Sequence, residues 1–238
     1  MAVAAQRVTL TLPTGNLSVL VRRSVRARRV ALKIDPDVGG VALILPERVP
    51  LSVGLDFLKS RADWVASRYQ ALPPQIPFSD GEVIPVLGVP HRIRHLDIGR
   101  QGRNAVIAIV EDEIRVAGQT PHVARRVRDH LTELARQELV CRARAHAAVV
   151  GREIGRITIR DTRSRWGSCA ASGNLSFSWR LVFAPLPVLD YVAAHEVAHL
   201  VHMNHGAEFW RVVARLTPGW QTHRNWLRAN RAVLMRYG

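Results

Sequence analysis

Residues 195–205 read His-Glu-Val-Ala-His-Leu-Val-His-Met-Asn-His, which puts four of the chain's ten histidines in eleven positions. His195 and His199 are four residues apart, so on a helix they share one face, about one turn apart. Two neutral imidazoles placed this way can reach one metal ion, usually zinc, at roughly 2.0–2.1 Å each. Glu196 lies beside such an ion without binding it, in position to take a proton from metal-bound water. Catalytic zinc usually takes three protein ligands and leaves a fourth position for water. His202 continues the helical face, but seven residues of straight helix place it about 10.5 Å along the axis from His195. The chain is therefore expected to turn and bring a later residue back. Asn204 and Gly206 both tolerate the left-handed conformation that ends a helix. His205, between them, is the expected third ligand. Glu208, the one acidic residue after Glu196, stands nine residues past His199 and is set aside as too close to sit on a separate second helix.

A helix of this kind needs a core to hold it. The chain has 238 residues, 47% of them hydrophobic, enough for one large domain or two small ones. Its most apolar stretch, 186–201, is interrupted by Asp190, His195, Glu196 and His199, so no membrane span and no membrane partner are expected. The first residues lack a basic start followed by an apolar run, and no secretory signal is expected. Cys141 and Cys169 are too few for a Cys-rich zinc module and need not pair. A cytoplasmic setting is the simplest expectation. The net charge is +15, and all of the 34 basic residues except Lys33 and Lys59 are Arg. A base composition favouring Arg codons explains Arg over Lys. It does not explain the excess, which predicts attraction to acidic or phosphate-rich partners such as nucleic acid or nucleotide.

The apolar pattern predicts an α+β chain. Strands are expected at Val8–Leu12, Leu17–Val21, Val30–Ile34 and Val41–Leu45, with a turn at Asp37–Gly40 and an Arg cluster at Arg22, Arg23, Arg26, Arg28 and Arg29. A helix follows from Leu51 to Leu72, with Ser52 as its N-cap and Pro73-Pro74 as its stop. Short strands return at Val83–Leu87, His91–His95, Ala105–Val110 and Glu113–Val116, with turns at Gly99 and Gly102. A long helix spans about 121–150 and ends at Gly151. Composition and pattern change near residue 120. The expected organisation is an N-terminal β-rich accessory region with a helix, 1–120, and a catalytic domain, 121–238. No internal repeat is evident. Within the second part, Ile157–Arg160 and Asn174–Trp179 are expected as an antiparallel pair turning at Ser172-Gly173. The metal helix starts near Leu186, a helix carries Glu208–Leu216, and a last one covers about 221–235.

A longer series of motifs surrounds the histidines. Ser164-Arg165-Trp166-Gly167-Ser168-Cys169 is followed by Gly173-Asn174-Leu175-Ser176 and Trp179-Arg180-Leu181. Asp190-Tyr191-Val192 precedes the histidine segment, and Phe209-Trp210 follows it. Together with Val21-Arg22-Arg23-Ser24, Ala27-Arg28-Arg29-Val30 and Ala62-Asp63-Trp64-Val65, this series resembles the YgjP-like metallopeptidase-domain family. It is more distantly similar to SprT-like and WLM-type proteases. The resemblance covers nearly the whole chain. It implies a zincin-like catalytic domain with antiparallel strands, one zinc ion on His195, His199 and His205, and Glu196 as general base. The histidine spacing is also that of H-E-x-x-H-x-x-G-x-x-H metzincins, but His202 occupies the glycine position and no clear Met-turn follows.

The leading expectation is a zinc-dependent hydrolase that cleaves peptide bonds, with Glu196 activating water and returning the proton to the leaving amine. Arg165 and Trp166 are candidate substrate-binding residues, and Arg165, His202 and His223 are candidate oxyanion donors. The strand at 174–179 is a candidate to pair with an extended peptide. Asp190 and Glu208 are candidates to orient a metal-bound imidazole. Trp166, Trp179, Phe209 and Trp210 are expected to pack around the site, and Cys169 to be a small buried residue. Two alternatives stay open. One is a metal-dependent nucleotide pyrophosphohydrolase that binds phosphates through Arg side chains. The other is a DNA-associated protease or a basic nucleic-acid-binding module.

Overall fold

The structure, a computed structural model, describes residues 6–12, 15–35, 40–70, 74–97, 107–162 and 164–238. The turn residues 37–39, Leu72, Pro73, Gly99 and Gly102 singled out above lie outside this set. Alternating apolar residues form the first strands, as their period of two demands. β1 (Gln6–Leu12) pairs antiparallel with β2 (Gly15–Ser24), and β3 (Ala31–Asp35) antiparallel with β4 (Gly40–Pro46). β2 and β4 run parallel, giving the order β1-β2-β4-β3. Leu10, Val19, Val41, Leu43 and Leu45 build a core to which α1 (Leu51–Ser60) adds Leu58 and α2 (Ala62–Gln70) adds Val65. From the Arg cluster, Arg23 is committed to the turn after β4, where its Nη1 donates to the carbonyls of Glu47 and Val49 at 2.7 and 2.9 Å.

Two helices replace the single one expected over 51–72, and Pro50, not Ser52, stands at the N-cap. The break has a local cause. The Ser60 hydroxyl donates to the Phe57 carbonyl at 2.9 Å, the oxygen that the Arg61 N–H would take in an unbroken helix. The Arg61 N–H bonds to Leu58 instead.

The chain divides between Pro74 and Gln75 into two compact units. The second contains a sheet built on the plan of the first. β5 (Val83–Val86), β6 (Val89–Leu96), β7 (Ile107–Val110) and β8 (Glu113–Ala117) lie in the order β5-β6-β8-β7. Their pairing is again antiparallel, parallel, antiparallel, and a helix again follows. No repeat is visible in the residues, because strand order is set by backbone pairing and connection lengths, not by which apolar side chains fill the core. The pattern change near residue 120 does not coincide with the division between units. Ile84, Ile93 and Ile114 share one core with α3 (Val123–Val150) and with the C-terminal helices. α3 buries Val127, Leu131, Ala135, Leu139 and Ala143, one every four residues, and ends at Gly151 in the left-handed conformation (φ 63°).

A third sheet contains β9 (Ile157–Arg160), β10 (Gly167–Cys169) and β11 (Leu175–Ser178) in the order β10-β11-β9. β11 pairs antiparallel with β10 and parallel with β9. The antiparallel pairing expected between 157–160 and 174–179 is thus corrected. The hairpin partner of β11 is β10, whose Gly-Ser-Cys run carries no strand signal. After a 3-10 helix at Trp179–Phe183 come α4 (Leu186–Ala198), α5 (Ala207–Leu216) and α6 (Trp220–Leu234). Arg180, fully buried, donates from Nε to Asp161 at 2.9 Å and from Nη1 to the Tyr237 carbonyl at 2.6 Å. It thereby ties the chain's last turn to the end of β9. The described residues form an α+β fold of six α-helices and three mixed sheets. No helix among them is long and apolar enough to cross a membrane.

Candidate metal centre

α4 is apolar on nearly every side. It buries Val188, Leu189, Val192, Ala193 and Val197 and packs against α3, α5, α6 and β10. Its last α-helical residue is Ala198. The N–H groups of Leu200 and Val201 reach only three residues back, to Val197 and Ala198, so the winding tightens as the helix ends. Neither Asn204 nor Gly206 adopts the left-handed conformation expected of them; Gly206 is extended (φ −75°, ψ −177°) and leads into α5. The tightened exit from α4 turns the chain without it, and His205 still returns to the helix.

The Nε2 atoms of His195 and His205 stand 3.1 Å apart. One donor atom from each of His195, His199 and His205 lies within 4.8 Å of the other two. Nitrogens sharing one tetrahedral ion at 2.0–2.1 Å would be about 3.3 Å apart, so the closest pair already has that spacing. The ring orientations suit the same purpose. His199 donates from Nδ1 to the His202 carbonyl at 3.0 Å, which leaves its Nε2 as the free donor. His202 therefore acts through its backbone, and its imidazole is not in the cluster. The Nδ1 of His195 is buried without a hydrogen-bond partner among the described residues. Phe209, fully buried, sets its ring 5.0, 4.5 and 4.7 Å from those of His195, His199 and His205.

Burial, then the neighbouring His199, His205 and Arg224, pushes the His195 pKa down to about 3. Burial also lowers that of His199 against the opposing bond to His202. Both rings are held in the neutral form that a metal requires. Three nitrogen donors converging without a carboxylate among them fit a borderline-soft ion such as zinc.

Glu196 is only 5% exposed, and burial raises its carboxyl to about 8, with Arg165 opposing. On the sheet it faces Gly167. A Cβ at Gly167 would stand 2.5 Å from Glu196 Oε1 and 2.6 Å from Cγ, so no larger residue fits there without displacing the carboxyl. Cys169 lies on the same face of β10, two residues on. Its thiol is pushed up by burial and then by the Glu196 charge, so it stays protonated and outside the donor cluster.

A cleft of about 280 Å³ opens over His195 and Glu196. Trp166, Tyr191 and Leu227 form its apolar walls, and α6 adds Arg224, Arg228 and Arg231. The Arg224 guanidinium lies 5.1 Å over the Trp210 ring, and Trp210 stacks on Trp220 at 4.2 Å. The Tyr191 hydroxyl is pushed up to about 12, chiefly by burial, and remains a proton donor.

Among the other candidates, Trp166 lines this cleft. Arg165 is exposed and lines a depression on the other face of the sheet, and its charge acts on Glu196. His223 sits beside Tyr191, its ring 6.4 Å away. Asp190 does not orient a ligand imidazole. It faces α3, accepting from His146 at 2.9 Å, with Arg142 at 3.7 Å. Glu208 does lie on a second helix, α5, but is exposed and paired with Arg211. Trp179 is deep in the core against Phe78 and Phe183.

The strand at 174–179 is not the open one, because β11 is central and paired on both sides. The edge nearest Glu196 is β10. The Trp166 carbonyl accepts from Ser178 and the Ala170 N–H donates to Asn174, so the backbone groups of Gly167 and Cys169 point away from β11.

Sequence reasoning missed Tyr191, the three α6 arginines and the part played by Gly167. Two signals were available. Tyr191 is four residues before His195, on the same helical face. Arg224, Arg228 and Arg231 recur at helical spacing on a helix that was expected.

A family model described as YgjP-like, metallopeptidase domain, matches residues 28–230. No curated protein and no solved structure matches the chain.

Proposed function

The chain belongs to the YgjP-like, metallopeptidase domain family, and from that premise we propose that it is a zinc-dependent peptidase with a zincin-like catalytic domain. The observation that carries this reading is the convergence of His195, His199 and His205, with His195 and the buried Glu196 lining one cleft. These three histidines would hold the ion. When bound, it supplies Lewis acidity and acidifies water toward about pKa 7. Beside a dication the Glu196 carboxyl is drawn back toward its ionised form. Glu196 then takes the proton of the attacking water and passes it to the leaving amine. Tyr191 and Arg224, both in the cleft wall, are the donors we assign to the developing oxyanion. The open edge of β10 is where an extended peptide would pair its backbone.

The site residues fall between Trp166 and Arg231, which supports a catalytic role for 121–238 and an accessory one for 1–120. A cytoplasmic setting fits the unpaired Cys141 and Cys169. One observation favours a second reading. Three guanidiniums line a cleft whose only carboxylate among the described residues is Glu196, and such a wall suits substrates with an anionic group, nucleoside polyphosphates included.

Metal content decides first, measured on wild type and His205→Ala purified without added metal. We expect about one zinc per wild-type chain, largely lost in the variant. Zinc-loaded wild type and Glu196→Gln are then compared on a degenerate peptide pool and on nucleoside triphosphates. Cleavage of peptides that disappears in Glu196→Gln is the expected result. Glu196-dependent phosphate release without peptide cleavage would transfer the assignment to the second reading. Wild type that takes up no zinc when offered it would end both.

A further inference from the structure

The outer face of the third sheet carries its own chemistry, separate from the metal cleft. Ile157, Ile159, Leu175 and Phe177 turn one face of this sheet into the core. By alternation, Thr158, Ser176 and Ser168 turn the other way. The strand register sets these three at one level, with Thr158 opposite Ser176 and Ser176 opposite Ser168. A row of hydroxyls therefore crosses all three strands. Arg156 and Arg160 flank the row along the β9 side, and Arg165 stands before β10. These six residues line an open depression of about 750 Å³ whose lining, among the described residues, includes no carboxylate and no aromatic ring. The nearest acid along the chain, Asp161, accepts from the buried Arg180. All three arginines are exposed.

We infer that this face binds the phosphodiester backbone of single-stranded nucleic acid. Guanidiniums and hydroxyl donors are the groups that hold phosphate oxygens. Arg156, just before β9, and Arg160, its last residue, are four positions apart, which in extended chain sets their Cα atoms about 13 Å apart. Side chains stand roughly perpendicular to a sheet, so the charges stay spread out instead of closing on a single phosphate. A chain of phosphates along one nucleic-acid strand spans that distance. Three strands are only about 10 Å across, a width that suits one strand better than a duplex. Without an aromatic ring to stack on, the face reads backbone and not bases. The net charge of +15 draws polyanions toward the whole molecule, and the hydroxyl row and its flanking arginines give them one place to settle.

The test uses the full chain and a mixed-sequence single-stranded 20-mer, followed by fluorescence anisotropy across a salt series. Wild type is compared with Arg156→Gln/Arg160→Gln, with Arg156→Lys/Arg160→Lys, and with Arg125→Gln/Arg128→Gln, which removes the same charge from exposed positions of α3. Circular dichroism verifies the fold of each. The outer-face Gln variant is expected to bind at least about tenfold more weakly. The slope of log affinity against log salt should become shallower by about 1.4. The Lys variant retains most of the binding, the α3 variant binds like wild type, and changing the base sequence has little effect. Equal losses in the outer-face and α3 Gln variants would overturn the proposal in favour of diffuse attraction. So would binding of tripolyphosphate without binding of the oligonucleotide, which would make this a small-anion site. A duplex that bound more tightly through Arg156 and Arg160 would overturn the single-strand assignment, and no binding at low salt would remove the site altogether.

Discussion

Glu196 combines deep burial with a charge that the proposed mechanism requires it to carry. Its carboxyl ionises near 4.5 in an unfolded chain and at about 8 in the folded, metal-free protein. Between those values the unfolded state binds fewer protons, so stability falls as pH rises through that window. Glu196→Gln removes the linkage at almost constant volume. The metal-free variant should be more stable than metal-free wild type at pH 8, by an amount on the order of a few kcal/mol. The gap should close toward pH 4.5. Urea unfolding in the presence of a chelator measures it, and parallel pH profiles for the two proteins would sink the argument. His195 works in the opposite direction. Its pKa is depressed to about 3, so its contribution is present above the ordinary histidine range and fades as pH falls toward 3.

β10 is the element that joins sheet to site, and its smallest residue makes the contact. A methyl group at Gly167 cannot coexist with the present Glu196 position, while the three histidines lie elsewhere and keep their spacing. Gly167→Ala should therefore cut kcat/KM on any substrate of this site by about 100-fold. Its zinc content should stay near wild type, and its stability should fall by about 1–3 kcal/mol. Full activity in that variant would show that the contact does not position the carboxylate. The strands and helices with strong apolar periodicity were legible from the residues. β10 was not, because three small residues carry no period. The break between α1 and α2 was hidden for a different reason: it depends on one hydroxyl competing for one carbonyl.

Across the second unit, one buried cation links segments far apart in sequence. Arg180 meets Asp161 and the Tyr237 carbonyl, and its guanidinium lies 4.9 Å over the Trp179 ring. Arg180→Ala would leave a cavity and an unpaired carbonyl. It should destabilise the protein by about 3–5 kcal/mol, read from the denaturant midpoint with an unchanged m-value. A loss under about 1 kcal/mol would mean that the pairing is no stronger than a surface one. At this scale the two four-stranded sheets share an order that no residue pattern announced. The second of them shares a core with α3 and α4, so a composition change near residue 120 separates elements, not compact units.

The sequence by itself picked out the three histidines that converge, the acid beside them and most elements, because helical spacing, apolar periodicity and turn chemistry act over a few residues. Tyr191 and the α6 arginines were visible as residues, yet only the packing of α6 against α4 turned them into walls of one cleft. The same holds for Gly167 against Glu196, for the parallel pairing of β9 with β11, and for the hydroxyl row across three strands. Each is a juxtaposition of segments distant along the chain. Local rules do not contain it, because it is decided by which apolar faces bury one another.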